Sequence, residues 1–219
     1  METLDEAFYE RLKEISRDYC KNYPGHGFDH VERVYNNAIR IYNLEKESRE
    51  IDPDIVKTSA LLHDIAREKE SREQVKCHAE EGSKMCREVL EELNFPSHKI
   101  DDVSYSIKVH RYSTGVKPAT IEAAILQDSD RLDALGAVTI GRIFEFGGKK
   151  NRLSYDPEED LDAPYVSGEG HSSITHFHRK ILKIRPEKFH TSAAREIAKG
   201  RYDFVKQFVD RYIKEWNGE

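Results

Sequence analysis

The feature that most constrains the fold is the spacing of apolar residues, which recur every three or four positions along most of the chain. This spacing gathers apolar side chains on one face of an α-helix, whereas a half-buried β-strand needs strict alternation. The sequence contains no alternating stretch of useful length, no internal repeat and no domain linker. The pattern therefore predicts an all-α fold, in which residues 1–219 form one helical bundle with additional C-terminal helices.

Helix breakers and capping residues divide this pattern into segments. The core of the domain is expected over about residues 23–146, a loop over residues 147–173, and the C-terminal helices over residues 174–216. The first three expected helices run from about Leu4 to Lys21 (ended by Asn22 to Gly25), from near Phe28 past Tyr42, and from a cap at Asp52 to about Ala66. The next run from about Val75 to Leu93, from a cap at Ser97 to His110, and, as one or two helices, from Thr120 to Phe146. The last two run from Ile174 to Ile184 and from just after Thr191 onward.

The helical pattern is interrupted from Gly147 to about Ser173. Loops of this length without regular structure are uncommon inside compact domains, and they are usually either functional or disordered. Two interpretations stay open. The segment is either a lid that closes over a substrate pocket or a surface excursion.

Composition narrows the possible partners. The formal net charge is -6, and basic residues are interspersed with acidic ones. Nucleic-acid binding is therefore not expected, because it usually needs a basic excess, whereas a small phosphorylated ligand needs only a few local cations. Three cysteines without a C-x-x-C pair are typical of a reducing cytoplasm. No apolar run approaches the ~18–20 residues of a membrane span, so we expect a cytoplasmic monomer or homodimer.

Three separate predicted helices carry a polar side chain on an apolar face. His63 follows the apolar run Ala60 to Leu62 and is itself followed by Asp64, while His30 and Asp130 lie on the apolar stripes of two other helices. For the His63-Asp64 dipeptide alone, a core histidine bonded to its neighbour is the commoner explanation. Ligands that project inward from facing helices are, however, how helical proteins build metal sites. Mixed imidazole and carboxylate ligands suit manganese or iron(II), and also cobalt, nickel, zinc or magnesium.

The order of these residues resembles the HD superfamily of metal-dependent phosphohydrolases. HGFDHVERV resembles its opening helix, ALLHDIA its central motif and DSDRLDALG its closing motif, and the likeness to small stand-alone bacterial members extends from about Tyr23 to Tyr212. The resemblance implies that one divalent ion is held by four ligands. These are His30, His63, Asp64 and Asp130, with Asp130 preferred over Asp128 and Asp133 because the family ligand directly precedes a basic residue, here Arg131.

The same resemblance implies roles for residues near the motifs. Asp64 and His110 are expected at the reacting centre, with His110 contacting phosphate or donating a proton, and His78 is expected to line the pocket. Some relatives hold two metals through additional histidines, but we favour one ion here because His78 follows His63 closely. Glu68 is either a catalytic acid or an exposed member of a charge run. Cations near the motifs are candidate phosphate ligands or, individually, solvated surface groups: Arg33, Arg67, Arg111, Arg131, Lys108 and Lys180.

The implied activity is hydrolysis of a nucleotide or related phosphorylated metabolite. The subgroup resemblance indicates cleavage of (deoxy)nucleoside triphosphates to monophosphate and pyrophosphate. Three alternatives are kept, namely a 5′-nucleotidase that cleaves monophosphates, a di-iron oxygenase on the same fold, and a nucleotide sensor without turnover.

Overall fold

The computed structural model describes residues 4–20, 27–166 and 171–219. Within these ranges the chain forms α-helices and short 3-10 helices and no strand, which confirms the predicted all-α class. The α-helices are α1 (Glu6–Tyr19), α2 (Phe28–Glu45), α3 (Pro53–Leu62), α4 (Arg67–Ser71), α5 (His78–Glu92), α6 (Ser97–Val109), α7 (Ile121–Asp133), α8 (Ala137–Lys149), α9 (Ser173–Arg179) and α10 (Ser192–Trp216). The predicted end of the first helix at Lys21 and the breakers Asn22 to Gly25 lie outside the described residues.

The chain divides into two compact units, Met1–Asp130 and Arg131–Glu219. In the first unit, α5 packs on α6, and α3 packs on α1, α2 and α6. In the second unit, α8 packs on α9 and α10. Whether the chain acts as the predicted single domain stays a prediction. No helix in the described part of the chain is long and apolar enough to span a membrane.

Helix α2 shows how the apolar stripe orients functional side chains. Val31, Val34, Ala38 and Ile41 are fully buried, as the i, i+3, i+4 spacing requires. His30 belongs to this buried face, with 2% of the residue exposed. The helix therefore directs an imidazole into the interior of the first unit.

Helix α3 begins as predicted but ends earlier. Asp52 caps it, accepting hydrogen bonds from the backbone N–H groups of Asp54 and Ile55, and Pro53 occupies its first turn. The prediction that it continues to about Ala66 was wrong, because it ends at Leu62 and residues 63–66 form turns. The bonds there connect residues three apart, from the Ile65 N–H to the Leu62 carbonyl and from the Arg67 N–H to the Asp64 carbonyl. His63 and Asp64 consequently lie in a tight turn rather than inside a helix.

The next segments also differ from the sequence-based boundaries. The charge run after Ala66 forms the short helix α4, and α5 begins at His78 instead of Val75. The segment 120–146 forms two helices, and Gly136 separates them with a φ of 93°. A side chain there would have its Cβ 3.3 Å from Arg201 Cγ, so glycine suits the position both conformationally and sterically.

The C-terminal helices largely follow the predictions. Thr191 caps α10 by accepting from the Ala194 N–H, but α9 stops at Arg179 and a 3-10 turn, Ile181–Lys183, follows it. In the loop before α9, the carboxylate of Glu159 accepts from the Ser172 N–H, with its oxygens at 3.0 and 3.1 Å. The lid interpretation of this loop stays a prediction, and residues 167–170 lie outside the described ranges.

A buried polar network ties α1, α3 and α6 together. The Asp54 carboxylate is almost fully buried and accepts hydrogen bonds from Tyr9 Oη and Lys99 Nζ, both at 2.7 Å. Lys99 also contacts Asp52 at 2.8 Å. Although burial raises the pKa of Asp54, the hydrogen bonds from Lys99 and Tyr9 outweigh this effect and lower it. The carboxylate is therefore ionised at neutral pH and stabilises the folded state.

We expect Asp54→Ala to lower the free energy of unfolding by about 1–3 kcal/mol, because it leaves the buried Tyr9 hydroxyl without its acceptor and removes one of the two carboxylates that contact Lys99. Urea unfolding followed by circular dichroism measures the change. Glu10→Ala is the control, since it removes an exposed ion pair with Lys13 and should cost less than about 1 kcal/mol. Equal losses in the two variants would contradict the importance of this network.

Candidate metal centre

Six metal-competent side chains converge inside the first unit. They come from helix termini and turns as well as from helix interiors, so several elements must meet at one point. The residues are His30 in the first turn of α2, His63 at the end of α3, Asp64 in the turn that follows, His78 at the start of α5, His110 at the end of α6 and Asp130 in α7.

The first group consists of His30, His63 and Asp130. Nε2 of His30 lies 3.3 Å from Nε2 of His63 and 3.4 Å from Asp130 Oδ1. These three residues belong to the ligand set predicted from sequence, and the structure brings them together. Asp133, a rejected alternative, instead binds Arg142 at 2.7 Å, and Asp128 is fully buried.

The second group consists of Asp64, His78 and His110. Nε2 of His78 lies 3.3 Å from Nε2 of His110 and 3.3 Å from Asp64 Oδ1. His110 Nε2 is 3.9 Å from the same oxygen. Sequence reasoning placed both histidines near the substrate, but their geometry is that of a ligand group.

Asp64 lies between the two groups. Its Oδ2 is 3.7 Å from His30 Nε2 and 3.8 Å from His63 Nε2, while its Oδ1 faces His78 and His110. Each carboxylate oxygen can thus serve one group, as in a carboxylate that bridges two ions. Each of the two groups could hold an ion, whereas the sequence favoured one ion, so the number of ions stays a prediction.

The hydrogen bonds of the ring nitrogens test whether a cation fits. His63 Nδ1 is 2.8 Å from the Ala60 carbonyl oxygen, and His110 Nδ1 is 2.7 Å from that of Ile107. A carbonyl oxygen only accepts, so we assign the hydrogen to Nδ1 in both rings. In a neutral ring Nε2 then carries a lone pair. These lone pairs point at other imidazoles and carboxylates, an arrangement that a cation between them stabilises.

Protonation of the rings would remove this donor capacity, but burial opposes it. Burial lowers the pKa of His110 to about 4 and also lowers the pKa of His78. For Asp64, the charges of His63 and Arg67 outweigh the effect of burial and lower its pKa well below the usual range. At neutral pH the imidazoles of His78 and His110 are therefore neutral and Asp64 and Asp130 are ionised, which is the state in which these groups bind divalent metal ions.

Glu70 is a part of the site that sequence reasoning missed. Its Oε2 lies 2.7 Å from His78 Nδ1, and its Oε1 accepts from Arg111 Nη1 at 2.7 Å. Arg67 Nη1 is 3.4 Å from Glu70 Oε2 and 2.9 and 3.1 Å from the two ring nitrogens of His78. The charge run around Glu70 looks solvated in sequence, and no sequence pattern marks this one acid as a partner of His78.

The remaining predicted residues differ in whether they lie beside the ligand groups. Arg67 and Arg111 lie beside the second group, as described above. Arg33 is on α2, one turn after His30, and pairs with Asp29 at 2.9 Å. Glu68 pairs with Arg72, which fits the exposed charge run better than a catalytic acid.

The other three predicted phosphate ligands, all cations, have different contacts. Lys108 is exposed and lines a surface groove with Lys84 and Tyr105. In the second unit, buried Arg131 donates to the Lys188 carbonyl and lies over the Phe189 ring, and Lys180 lies 4.9 Å from the centre of the Tyr165 ring. Lys108 therefore lies on the surface, although it is only two residues from the buried His110 in sequence.

Comparisons with known proteins give a consistent result. A family model, HD domain, matches residues 27–135. The Bacillus subtilis protein YpgQ is 32% identical over 201 residues, which cover 89% of this chain and 86% of YpgQ.

Solved structures agree over nearly the full length. An HD-superfamily hydrolase from Bacillus thuringiensis has a TM-score of 0.76 and 32% identity, covering 98% of this chain and 99% of its own. A predicted HD superfamily hydrolase from an uncultured Thermotogales bacterium has a TM-score of 0.68 and 32% identity, with 94% and 92% coverage. YpgQ of Bacillus subtilis in complex with ADP has a TM-score of 0.67 and 27% identity in the structural alignment, with 95% and 94% coverage.

We expect each chain to bind two divalent ions, and we expect His30→Ala and His110→Ala each to weaken binding of one ion. Asp64→Ala should weaken both, because its oxygens face both groups. Equilibrium dialysis against manganese with elemental analysis counts the ions per chain. Exposed His98 on α6 provides the control variant His98→Ala, which should bind like the wild type. Unchanged manganese binding in His110→Ala would rule out the second group as an ion site.

Proposed function

Because this chain belongs to the HD-domain family of metal-dependent phosphohydrolases, we propose that it hydrolyses a phosphoanhydride bond of a nucleotide. The proposed substrates are (deoxy)nucleoside triphosphates. Water attacks the α-phosphorus, the bond from that phosphorus to the bridging oxygen breaks, and the products are a nucleoside monophosphate and pyrophosphate. The observation that carries the proposal is the position of Asp64 between two groups of ligands.

The ligand set determines the charge of the loaded centre. Asp64 and Asp130 are ionised and the imidazoles of His78 and His110 are neutral, so the carboxylates balance only half the charge of two divalent ions. The excess positive charge favours a substrate with several negative charges close together. A diphosphate or triphosphate chain meets this requirement better than a neutral metabolite does.

We propose that His30, His63 and Asp130 hold one ion, that His78 and His110 hold the second, and that Asp64 contacts both. When bound, such ions lower the pKa of a water molecule and stabilise negative charge on the phosphate oxygens. Buried side chains surround the ligands, which keeps the electrostatic interactions strong. Manganese or iron(II) matches the mixed nitrogen and oxygen donors.

Arg67 and Arg111 are the proposed phosphate-binding cations. Both guanidinium groups lie beside the second ligand group, and each is partly exposed. Guanidinium groups bind phosphate oxygens in pairs and stay charged at all relevant pH values. Both also contact Glu70, which holds the two guanidinium groups beside the place where phosphate is expected.

The leaving group favours anhydride cleavage over monoester cleavage. An alkoxide leaving from a monoester needs a proton donor, whereas pyrophosphate is a weak base and leaves without one. The acid considered from sequence, Glu68, pairs with Arg72 on the surface. His110 is buried, with its Nδ1 2.7 Å from a backbone carbonyl oxygen, which favours a role as a ligand over proton donation.

The nucleotide part of the proposal is supported by a relative. YpgQ of Bacillus subtilis has been solved in complex with ADP, and this chain is 32% identical to YpgQ. A nucleoside diphosphate has the phosphoanhydride group and the charge that the centre accommodates. A nucleoside triphosphate shares both features and adds a further phosphate to contact Arg67 or Arg111.

A screen of nucleoside mono-, di- and triphosphates tests the proposed reaction. We expect pyrophosphate and nucleoside monophosphate from triphosphates with manganese, and a loss of at least about a hundredfold in Asp64→Asn. His98→Ala is the matched control and should keep wild-type rates. Phosphate released from monophosphates alone would replace the proposal with a 5′-nucleotidase. Tight nucleotide binding with no product over hours would replace it with a sensor.

The six-ligand arrangement also favours a second candidate, a di-iron oxygenase, because two histidine-carboxylate groups can hold two irons. This candidate requires turnover that depends on dioxygen with two irons per chain. Equal product formation in air and under argon would eliminate it. The same pair of incubations leaves a hydrolase unaffected, since hydrolysis consumes only water.

A further inference from the structure

The four histidines of the centre are not held in the same way. His63 and His110 end helices, where the last carbonyl groups lack partners within the helix, and each ring donates to the carbonyl three residues earlier. His78 instead begins α5. A helix N-terminus presents free N–H groups, which cannot accept a hydrogen bond from Nδ1–H. This imidazole therefore needs an acceptor from another part of the chain.

Glu70 provides that acceptor. Its Oε2 is 2.7 Å from His78 Nδ1, and an ionised carboxylate only accepts, so we assign the hydrogen to Nδ1 and the lone pair to Nε2. Nε2 is 3.1 Å from Arg67 Nη1 and 3.3 Å from both Asp64 Oδ1 and His110 Nε2. The other oxygen of Glu70 accepts from Arg111 Nη1 at 2.7 Å. Arg111 directly follows the ligand His110 in sequence. It restrains Glu70, which in turn supports the ligand His78.

We propose that Glu70 is a positioning residue, which fixes the tautomer and orientation of His78 so that Nε2 serves the second ion, while Arg111 holds Glu70 in place. This role rests on the two-ion centre of the proposed function. A carboxylate that accepts from a ligating imidazole also makes the imidazole a stronger donor. The expected consequence is local, because Glu70 contacts neither His30 nor His63 among the described contacts.

A manganese titration read by electron paramagnetic resonance tests the role without any substrate. Two neighbouring manganese ions give an exchange-coupled signal, and a single ion gives an isolated six-line signal. In Glu70→Ala we expect affinity for the second ion to fall about 10- to 100-fold, with the six-line signal persisting at concentrations that produce the coupled signal in the wild type. Glu70→Gln keeps an oxygen acceptor and should lose less.

Glu81→Ala is the matched control. Glu81 lies on α5, is similarly exposed and forms a 2.9 Å ion pair with Lys69 on α4, so it shares the structural role of Glu70 but not the contact with His78. The thermal stability of both metal-free variants shows whether either substitution disturbs the fold. Wild-type manganese binding is expected in Glu81→Ala.

The possible results separate this role from the proposed reaction. A second-ion affinity in Glu70→Ala equal to that in Glu81→Ala would overturn the positioning role. Binding of only one ion by the wild type would overturn the second site and this role together. The titration contains no nucleotide, so an incorrect substrate assignment leaves its result unchanged.

Discussion

The buried carboxylate of Asp64 is the constraint on which the first unit depends. An ionised group that is only 3% exposed is costly unless its surroundings compensate the charge. Here imidazole nitrogens approach it from both sides, from α2 and α3 toward one oxygen and from α5 and α6 toward the other. The helices of the unit must therefore meet with these residues in register, and a cation bound beside Asp64 would compensate the charge of its carboxylate.

The helix ends determine how the imidazole rings of the site are held in place. At the ends of α3 and α6, backbone carbonyls of the last helical turn accept from His63 and His110, so each ring is fixed by the same turn that ends its helix. The start of α5 offers no such acceptor, and a side chain, Glu70, takes the role. The different surroundings of the three imidazoles follow from the direction of the backbone at each one.

Much of this could be predicted from sequence, and the failures have physical causes. The stripes of α2 and α7 predicted that His30 and Asp130 lie on the apolar faces of their helices, because helical periodicity fixes which side chains share a face, and the two side chains meet at 3.4 Å. A second ligand group was considered from sequence and set aside because His78 follows His63 closely. That spacing does not show the direction of His78, which depends on where α5 begins, and a start at His78 instead of Val75 changes its backbone from helix interior to helix terminus. Lys108 was assigned to the site by proximity in sequence, yet two helical positions correspond to about 200° of rotation and place it on the far side from His110. The two-unit division, Glu70 and the contacts of Arg131 depend on residues distant in sequence, which no local pattern records.

The charges beside the second ligand group are arranged differently from those of the structural cluster at Lys99. Lys99 is buried and contacts the carboxylates of Asp52 and Asp54, so its charge is matched inside the folded chain. Arg67 and Arg111 both contact Glu70, Arg67 also lowers the pKa of Asp64, and both arginine side chains keep part of their surface exposed. A phosphate group that reached the second ligand group from solvent would therefore meet two guanidinium groups, which is the arrangement that the proposed nucleotide site needs.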